Sequence, residues 1–437
     1  MSVLSDLRTV AVHRDFRKLF TVRLVSQSGD GMFQIGLATL FFFNPANMAT
    51  ATSVAAAFAV LLLPFTVVGP FAGPLLDRWR RRQVLFLGNA LRVVLGLVLA
   101  VLMATVGVGL PVYVVALVTL GVNRFLLSAL SAGLPRVVPR DLLLMANTLT
   151  PTLGAVSAVV GAALGFVINL VLPAGPAENG VVLAIAALLF GAASFLALRL
   201  GPDQLGPDRR SGSAQLWRDV RATVADMVDG ARYLLARRTP GLALGVMAVH
   251  RFLYGVNFIA LLLISRNLLS DPTDARAGLT TFGLLTAVSF AGNGLAIVLT
   301  PIAHEHMRPS LWIVTCLGIA GLSQALLALS PSRTVIMAAA VLMGLGVQGA
   351  KIAVDTIVQR DTDDSYRGRA FSLYDVLYNA AFVAAAALAA VALPDTGWSR
   401  ATFAVLTLVY VAAALAYRGG TRRVRDLPVP VLGSERS

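Results

Sequence analysis

Charge is scarce in this chain. Only 13% of the 437 residues are Asp, Glu, Lys or Arg, about half the share of an ordinary soluble domain, while 57% are hydrophobic. So apolar a composition excludes a soluble globular domain and points to a protein that crosses a membrane many times. Cysteine is nearly absent too. The single Cys316, inside an apolar run, excludes an intrachain disulfide and a cysteine-cluster metal site, and reads as packing. Lysine is limited to Lys18 and Lys351, a bias of base composition and not of chemistry. There is no nucleotide-binding loop: GLGVQGAK, Gly344 to Lys351, has its Lys one residue too far from the last Gly and lies within an apolar span. His304 and His306 flank Glu305 with no further ligand nearby, so no metal is expected. No loop brings a nucleophile, a base and an orienting group together, so an enzyme is not expected and no cofactor is implied. The first twenty residues carry charge but no short apolar core followed by a small-residue cleavage site, which argues against a removable signal peptide.

What is present is a series of apolar runs, each near the 20 residues that a membrane helix needs. Twelve are expected, at about 18–43, 49–75, 83–108, 111–134, 145–172, 180–200, 241–265, 277–301, 310–330, 333–357, 370–393 and 399–417. The formal net charge of +14 would suggest nucleic acid in a soluble protein. Here most of the 36 basic residues fall on one set of alternate loops and termini, and only Arg266, Arg276, Arg333 and Arg400 fall on the other set. That asymmetry is the positive-inside rule, so nucleic acid is not expected and both termini are placed in the cytoplasm of a cell (inner) membrane protein.

The longest polar piece, 201–239, splits the spans six and six. Trp217, Val220, Val224, Met227, Val228, Ala231, Leu234 and Leu235 recur at helical spacing with Arg218, Arg221, Asp226, Arg232 and Arg237 around them, which predicts an amphipathic helix along the membrane surface. It is read as a connector between halves. The expected organisation is an N-terminal six-helix bundle (1–200), a cytoplasmic central loop (201–239), a C-terminal six-helix bundle (240–420) and a cytoplasmic tail (421–437). The halves resemble each other weakly, as a parallel repeat does. GPLLDRWRRR after the second span matches TPIAHEHMRP after the eighth, which sets Asp77 opposite His304 and Arg81 opposite Arg308.

The stretch Gly69 to Arg82 is where a span meets four arginines, and boundary marking explains Arg80 and Arg82 but requires no acid. Gly73, Asp77, Arg78 and Arg81 resemble the loop 2–3 signature G-x-L-x-D-R-x-G-R-R/K of the major facilitator superfamily, with Arg80 where the pattern has glycine. The resemblance implies an all-α membrane protein with 12 transmembrane helices in two six-helix bundles around a central cavity that opens alternately to either side. It also implies that Gly73, Asp77, Arg78 and Arg81 form a gating latch. Phe16 to Leu37, Leu134 to Leu149 and Asp363 to Leu373 resemble the drug and siderophore exporter branch (macrolide- and enterobactin-type). In span five Gly154, Gly161 and Gly165 of the antiporter motif stand, without a Gly-Pro pair.

Asp30 lies about 12 residues into span one, about 18 Å along a helix and near mid-membrane. A charged Asp there costs roughly 2.5 to 3.5 kcal/mol, so such residues usually face a cavity or a partner. Asp30 is the first candidate for proton coupling, with Arg124 of span four as its expected partner, while Arg92 is expected to snorkel or to meet a backbone carbonyl. Lys351 and Asp355, four apart in span ten, share a helix face and are either a coupling pair or simply self-neutralising. His250, Arg251 and Asn257 in span seven, with Tyr374, Asp375, Tyr378 and Asn379 in span eleven, complete a polar lining. Asp375 is also read as part of a gate with Arg367 and Arg369. Phe33, Phe41 and Phe258 are expected to supply the apolar wall of a substrate cavity.

The function expected is proton-coupled export of a small amphipathic compound, a drug or siderophore, by a multidrug-type antiporter. It would be driven by the proton gradient alone, with the bilayer as its other partner and the monomer as its working unit. Import or lysophospholipid transport on the same fold, and a non-transporting membrane sensor or scaffold, are the alternatives.

Overall fold

The computed structural model describes residues 9–42, 50–54, 57, 76, 79–105, 109–139, 142–172, 176–206 and 213–422. Among them every long element is an α-helix and there is no strand. The chain separates into two compact units, Met1–Met48 with Ala57–Val224, and Ala49–Ala56 with Ala225–Ser437.

The first unit contains α1 (Arg14–Phe42), α2 (Arg81–Thr105), α3 (Leu110–Gly133), α4 (Leu143–Val171) and α5 (Pro176–Ala197). α1 packs on α4 and α5, and α2 on α3 and α5. The sequence dictates which face each helix buries. On α2, Leu87, Leu91, Val94, Val98 and Val101 recur every three to four residues and are all exposed, while Asn89 and Arg92 on the other face are buried. An apolar stripe turned outward with polar groups turned inward is the arrangement of a helix solvated by lipid. α1 and α4 approach so closely that a Cβ on Gly31 would overlap the Ala158 carbonyl, and one on Gly161 the Ser28 carbonyl. Small residues let membrane helices touch backbone to backbone, and the Ser28 and Ser157 hydroxyls, 2.8 Å apart, add a hydrogen bond across the contact.

The helix α6 (Ser213–Ala236) is the amphipathic helix expected in the polar connector, and the boundary between units falls within it. The second unit holds α7 (Arg238–Asn267), α8 (Ala275–His306), α9 (Pro309–Leu329), α10 (Arg333–Asp361), α11 (Asp364–Ala392) and α12 (Arg400–Arg422). Here α7 packs on α11 and α12, α8 on α10, and α9 on α10 and α12. The ends follow local chemistry: Pro309 occupies the first turn of α9, where its missing N–H costs nothing, and the Asp274 carboxylate caps α8 by accepting from the backbone N–H of Arg276 and Ala277 at 3.0 and 2.9 Å.

Ten helices, α2 to α5 and α7 to α12, are long and apolar enough to cross a membrane among the described residues. Of the other two expected spans, 49–75 lies mostly outside those residues. The remaining one corresponds to α1, a 29-residue helix whose run of Ser26, Gln27, Ser28, Asp30 and Gln34 lowers its mean hydropathy.

Candidate functional site

Two polar positions one turn apart on α1, Ser26 and Asp30, meet two on α2, Asn89 and Arg92. Arg92 forms an ion pair with Asp30 Oδ1, and its other terminal nitrogen donates to Ser26 Oγ at 3.2 Å. Ser26 Oγ donates to Asn89 Oδ1 at 3.1 Å, and Asn89 Nδ2 donates to the Leu85 carbonyl at 2.9 Å. The Phe190 ring of α5 lies 3.6 Å from the guanidinium carbon. Arg92 is 0% exposed and Asp30 4%, so neither charge reaches a surface. This corrects two expectations. Arg92 cannot snorkel from a fully buried position, and it, not Arg124, is the arginine that neutralises Asp30, because α1 presents Asp30 to α2 and α5. Asp30 Oδ2 has no hydrogen-bond partner among the described residues.

Of the latch, Gly73, Asp77 and Arg78 lie outside the described residues, and Arg81 is within them. Arg81 donates from Nη1 to the carbonyls of Ala132 (3.1 Å) and Leu205 (2.9 Å), and from its backbone N–H to that of Gly206 (3.1 Å). Arg80 pairs with Asp203 at 2.7 Å, and Arg82 donates to the Leu198 carbonyl at 3.2 Å. Expected only to orient the chain, Arg80 and Arg82 therefore also hold it. Carbonyls at the end of α3 and just beyond α5 carry partial negative charge, and Arg81 and Arg82 at the start of α2 donate to them.

In the second unit, a cavity of about 60 Å³ is lined by Tyr254, Asn257, Phe258, Phe282, Ser289 and Asn293, among others. Asn257 donates to Gln324 Oε1 at 3.3 Å, and His250 Nδ1 lies 3.2 Å from the Tyr410 hydroxyl. Beside the cavity, the Arg251 guanidinium sits 4.1 Å from the ring centre of Tyr378, 4.4 Å from Phe382 and 5.2 Å from Tyr254. Tyr378 in turn meets Tyr374 edge-on at 5.8 Å, and Lys351 Nζ lies 6.0 Å from the Tyr374 ring. Lys351 closes on Asp355 at 2.7 Å, the self-neutralising pair that the four-residue spacing allows.

The predicted lining is thus only partly assembled. Asn257 and Phe258 share the cavity and Tyr378 joins the cation cage next to it. Asn379 turns back on its own helix and donates to the Asp375 carbonyl at 2.8 Å. Phe33 is 1% exposed and packs on Phe190 at 6.1 Å, so it offers no wall to a ligand in this conformation. The Phe41 side chain lies outside what the structure describes. The cage itself was missed as a unit. Its signal was present: Arg251 and Tyr254 are three apart, Tyr378 and Phe382 four apart, so each pair shares one helix face.

Arg369 is the other correction. It pairs with Asp226 at 2.8 Å and Asp229 at 2.7 Å, on α6, instead of acting with Asp375. Tyr233 and Tyr366 stack at 4.1 Å, and Arg237 pairs with Asp363 at 3.0 Å, so the C-terminal part of α6 is clasped to the start of α11 by charge and by aromatic rings.

Ten apolar helices among the described residues, with inward-facing polar groups and outward-facing apolar stripes, define a multi-pass membrane protein. An "uncharacterized MFS-type transporter" of Mycobacterium tuberculosis is 34% identical to this chain over 432 residues, which is 98% of this chain and 95% of that protein; a counterpart from Mycobacterium bovis matches equally. The Major Facilitator Superfamily model matches residues 242–433. The chain belongs to the Major Facilitator Superfamily. Among solved structures, the nucleoside transporter NupG is similar with a TM-score of 0.65 at 13% identity, covering 94% of this chain and 99% of that one. A POT family transporter in complex with 5-aminolevulinic acid has a TM-score of 0.65 at 13% identity, covering 94% and 97%. A bacterial homologue of the iron transporter ferroportin has a TM-score of 0.61 at 14% identity, covering 94% and 98%. At such identities the likeness is one of fold.

Proposed function

We propose that this protein is a secondary active transporter that exports a small amphipathic compound by alternating access, coupled to protons carried by Asp30. Membership of the superfamily supports transport. The three stretches that resemble drug and siderophore exporters support the direction. The observation that carries the coupling is the ion pair of Asp30 and Arg92, buried between helices of one bundle. A charge so placed is expensive and is retained for a task or a partner.

The pair is a two-state element. With Asp30 ionised, Arg92 is neutralised and α1, α2 and α5 close around it. A proton arriving at the unpartnered Oδ2 removes the counter-charge and leaves a guanidinium held only by Ser26 and the Phe190 ring, which favours a different packing of the same helices. Substrate binds on the second unit's aromatic wall, where Asn257, Phe258 and Tyr378 supply hydrogen bonds and apolar faces. No cofactor enters the scheme, and one chain carries all of its parts.

Inverted membrane vesicles holding a respiration-driven pH gradient, reported by acridine orange, test this. A panel of amphipathic dyes and antibiotics is added in turn, and at least one compound is expected to dissipate the gradient with the wild type and none with Asp30→Asn. A response that Asp30→Asn leaves unchanged sinks the coupling role.

A further inference from the structure

Among the described residues Arg251 is a cation with no ion-pair partner. It lies on α7 within a span, half-buried, and the groups around its guanidinium are the faces of Tyr254, Tyr378 and Phe382. Its Nε is buried without a hydrogen-bond partner, and no carboxylate among the described residues pairs with it. Asp355 of α10, which faces Tyr374 on the same wall, is taken by Lys351 at 2.7 Å. Aromatic faces attract a cation through their quadrupole but leave its positive charge in place. Charged side chains within membrane helices normally pair with one another or with backbone carbonyls, so a guanidinium seated only on rings is a charge held ready.

The neighbouring cavity says what else the ligand carries. Tyr254 belongs to both the cage and the cavity, whose other walls are the rings of Phe258, Phe282 and Phe290 with a few amide and hydroxyl groups, Asn257, Ser289 and Asn293. Apolar surface and a lone cation therefore lie side by side on α7. We infer that Arg251 anchors the anionic group of an amphipathic substrate, an oxyanion such as a carboxylate, sulfonate or phosphate, whose apolar body lies against Tyr254, Phe258 and Phe282. The guanidinium fork matches two oxyanion oxygens in a way that an ammonium does not. This inference rests on the reading of that wall as the substrate site and adds the charge of the substrate.

Three probes that share one ring test it by calorimetry on the purified full chain in a nonionic detergent: 1-naphthalenesulfonate, 1-naphthol and 1-naphthylmethylammonium. The wild type is expected to bind the sulfonate at least about tenfold more tightly than the ammonium, the gain of a charge-assisted pair. Arg251→Gln is expected to bring the two within about twofold while leaving naphthol binding unchanged, and Arg251→Lys to retain part of the preference. Equal wild-type affinity for sulfonate and ammonium overturns the inference without recourse to any variant, as does a preference that survives in Arg251→Gln. Failure of all three probes to bind overturns the reading of the wall as a site as well, whereas charge-blind binding overturns only the inference. Competition by submicellar lysophosphatidate identifies a lipid headgroup as the anion's source. Its failure to displace a bound sulfonate identifies a free amphipathic acid.

Discussion

In the first unit α1 packs on α4 and α5, and α2 on α3 and α5; in the second, α7 packs on α11 and α12, and α9 on α10 and α12. These four contacts correspond under the parallel repeat that the sequence suggests, while α7 also packs on α8 and α10. The offset in numbering that sets Asp77 opposite His304 also sets Asp30 opposite Asn257 and Arg124 opposite Lys351. In each half, then, the first of the paired helices bears a buried polar residue that bonds to the third span. One half uses an ion pair, Asp30 with Arg92, and the other a neutral amide pair, Asn257 with Gln324. The cations of the fourth spans differ as well: Lys351 is neutralised by Asp355 one turn on, where the first half has Ser128 donating to the Arg124 carbonyl at 3.2 Å. The corresponding position thus carries a buried ion pair in one half, and in the other an amide pair beside an aromatic cation cage.

The largest effect that separates the halves is expected at the latch. Asp77→Asn should remove most transport, while its repeat counterpart His304→Asn should transport like the wild type in the vesicle assay; equal effects break the asymmetry. Next comes the buried pair. Arg92→Leu leaves Asp30 uncompensated and should cost about 3–5 kcal/mol of stability, read as the unfolding free energy in detergent. Asn257→Leu, which breaks only an interhelical amide bond, should cost about 1 kcal/mol by the same measurement. A comparable loss in both variants would erase the distinction between ionic and neutral halves. The smallest effect belongs to the α6 clasp. Arg369→Ala removes two half-exposed ion pairs and should cost under about 1 kcal/mol, while proteolysis near Asp226 and Asp229 accelerates. An unchanged cleavage rate would mean that the stacked tyrosines hold α6 unaided.

Much of this was legible in residues. The connector's amphipathic helix could be read from Trp217 to Leu235, because spacing on one helix needs no partner to be recognised. Lys351 with Asp355 was legible for the same reason. Asp30 stood out as a charge inside a span, but Arg124 was read as its partner in place of Arg92, since both arginines lie within spans and their positions along the chain do not say which helix face each occupies. Arg80 and Arg82 were read as boundary marks, and their contacts with Asp203 and the Leu198 carbonyl could not be foreseen from a run of like charges. Phe33 looked like a cavity wall and is core, because an apolar ring suits either place equally.

By itself the sequence determined that the chain lives in lipid, roughly where its described helices run, and which family it resembles. Those properties depend on the transfer of each stretch from water to bilayer, which is a sum over residues along the chain. Which face of α1 meets α2, and so which arginine meets Asp30, was decided only by tertiary packing. So was the cage around Arg251, assembled from residues more than a hundred positions apart. A pair in a membrane interior is set by the rotation of two helices about their axes, and hydropathy does not depend on that angle.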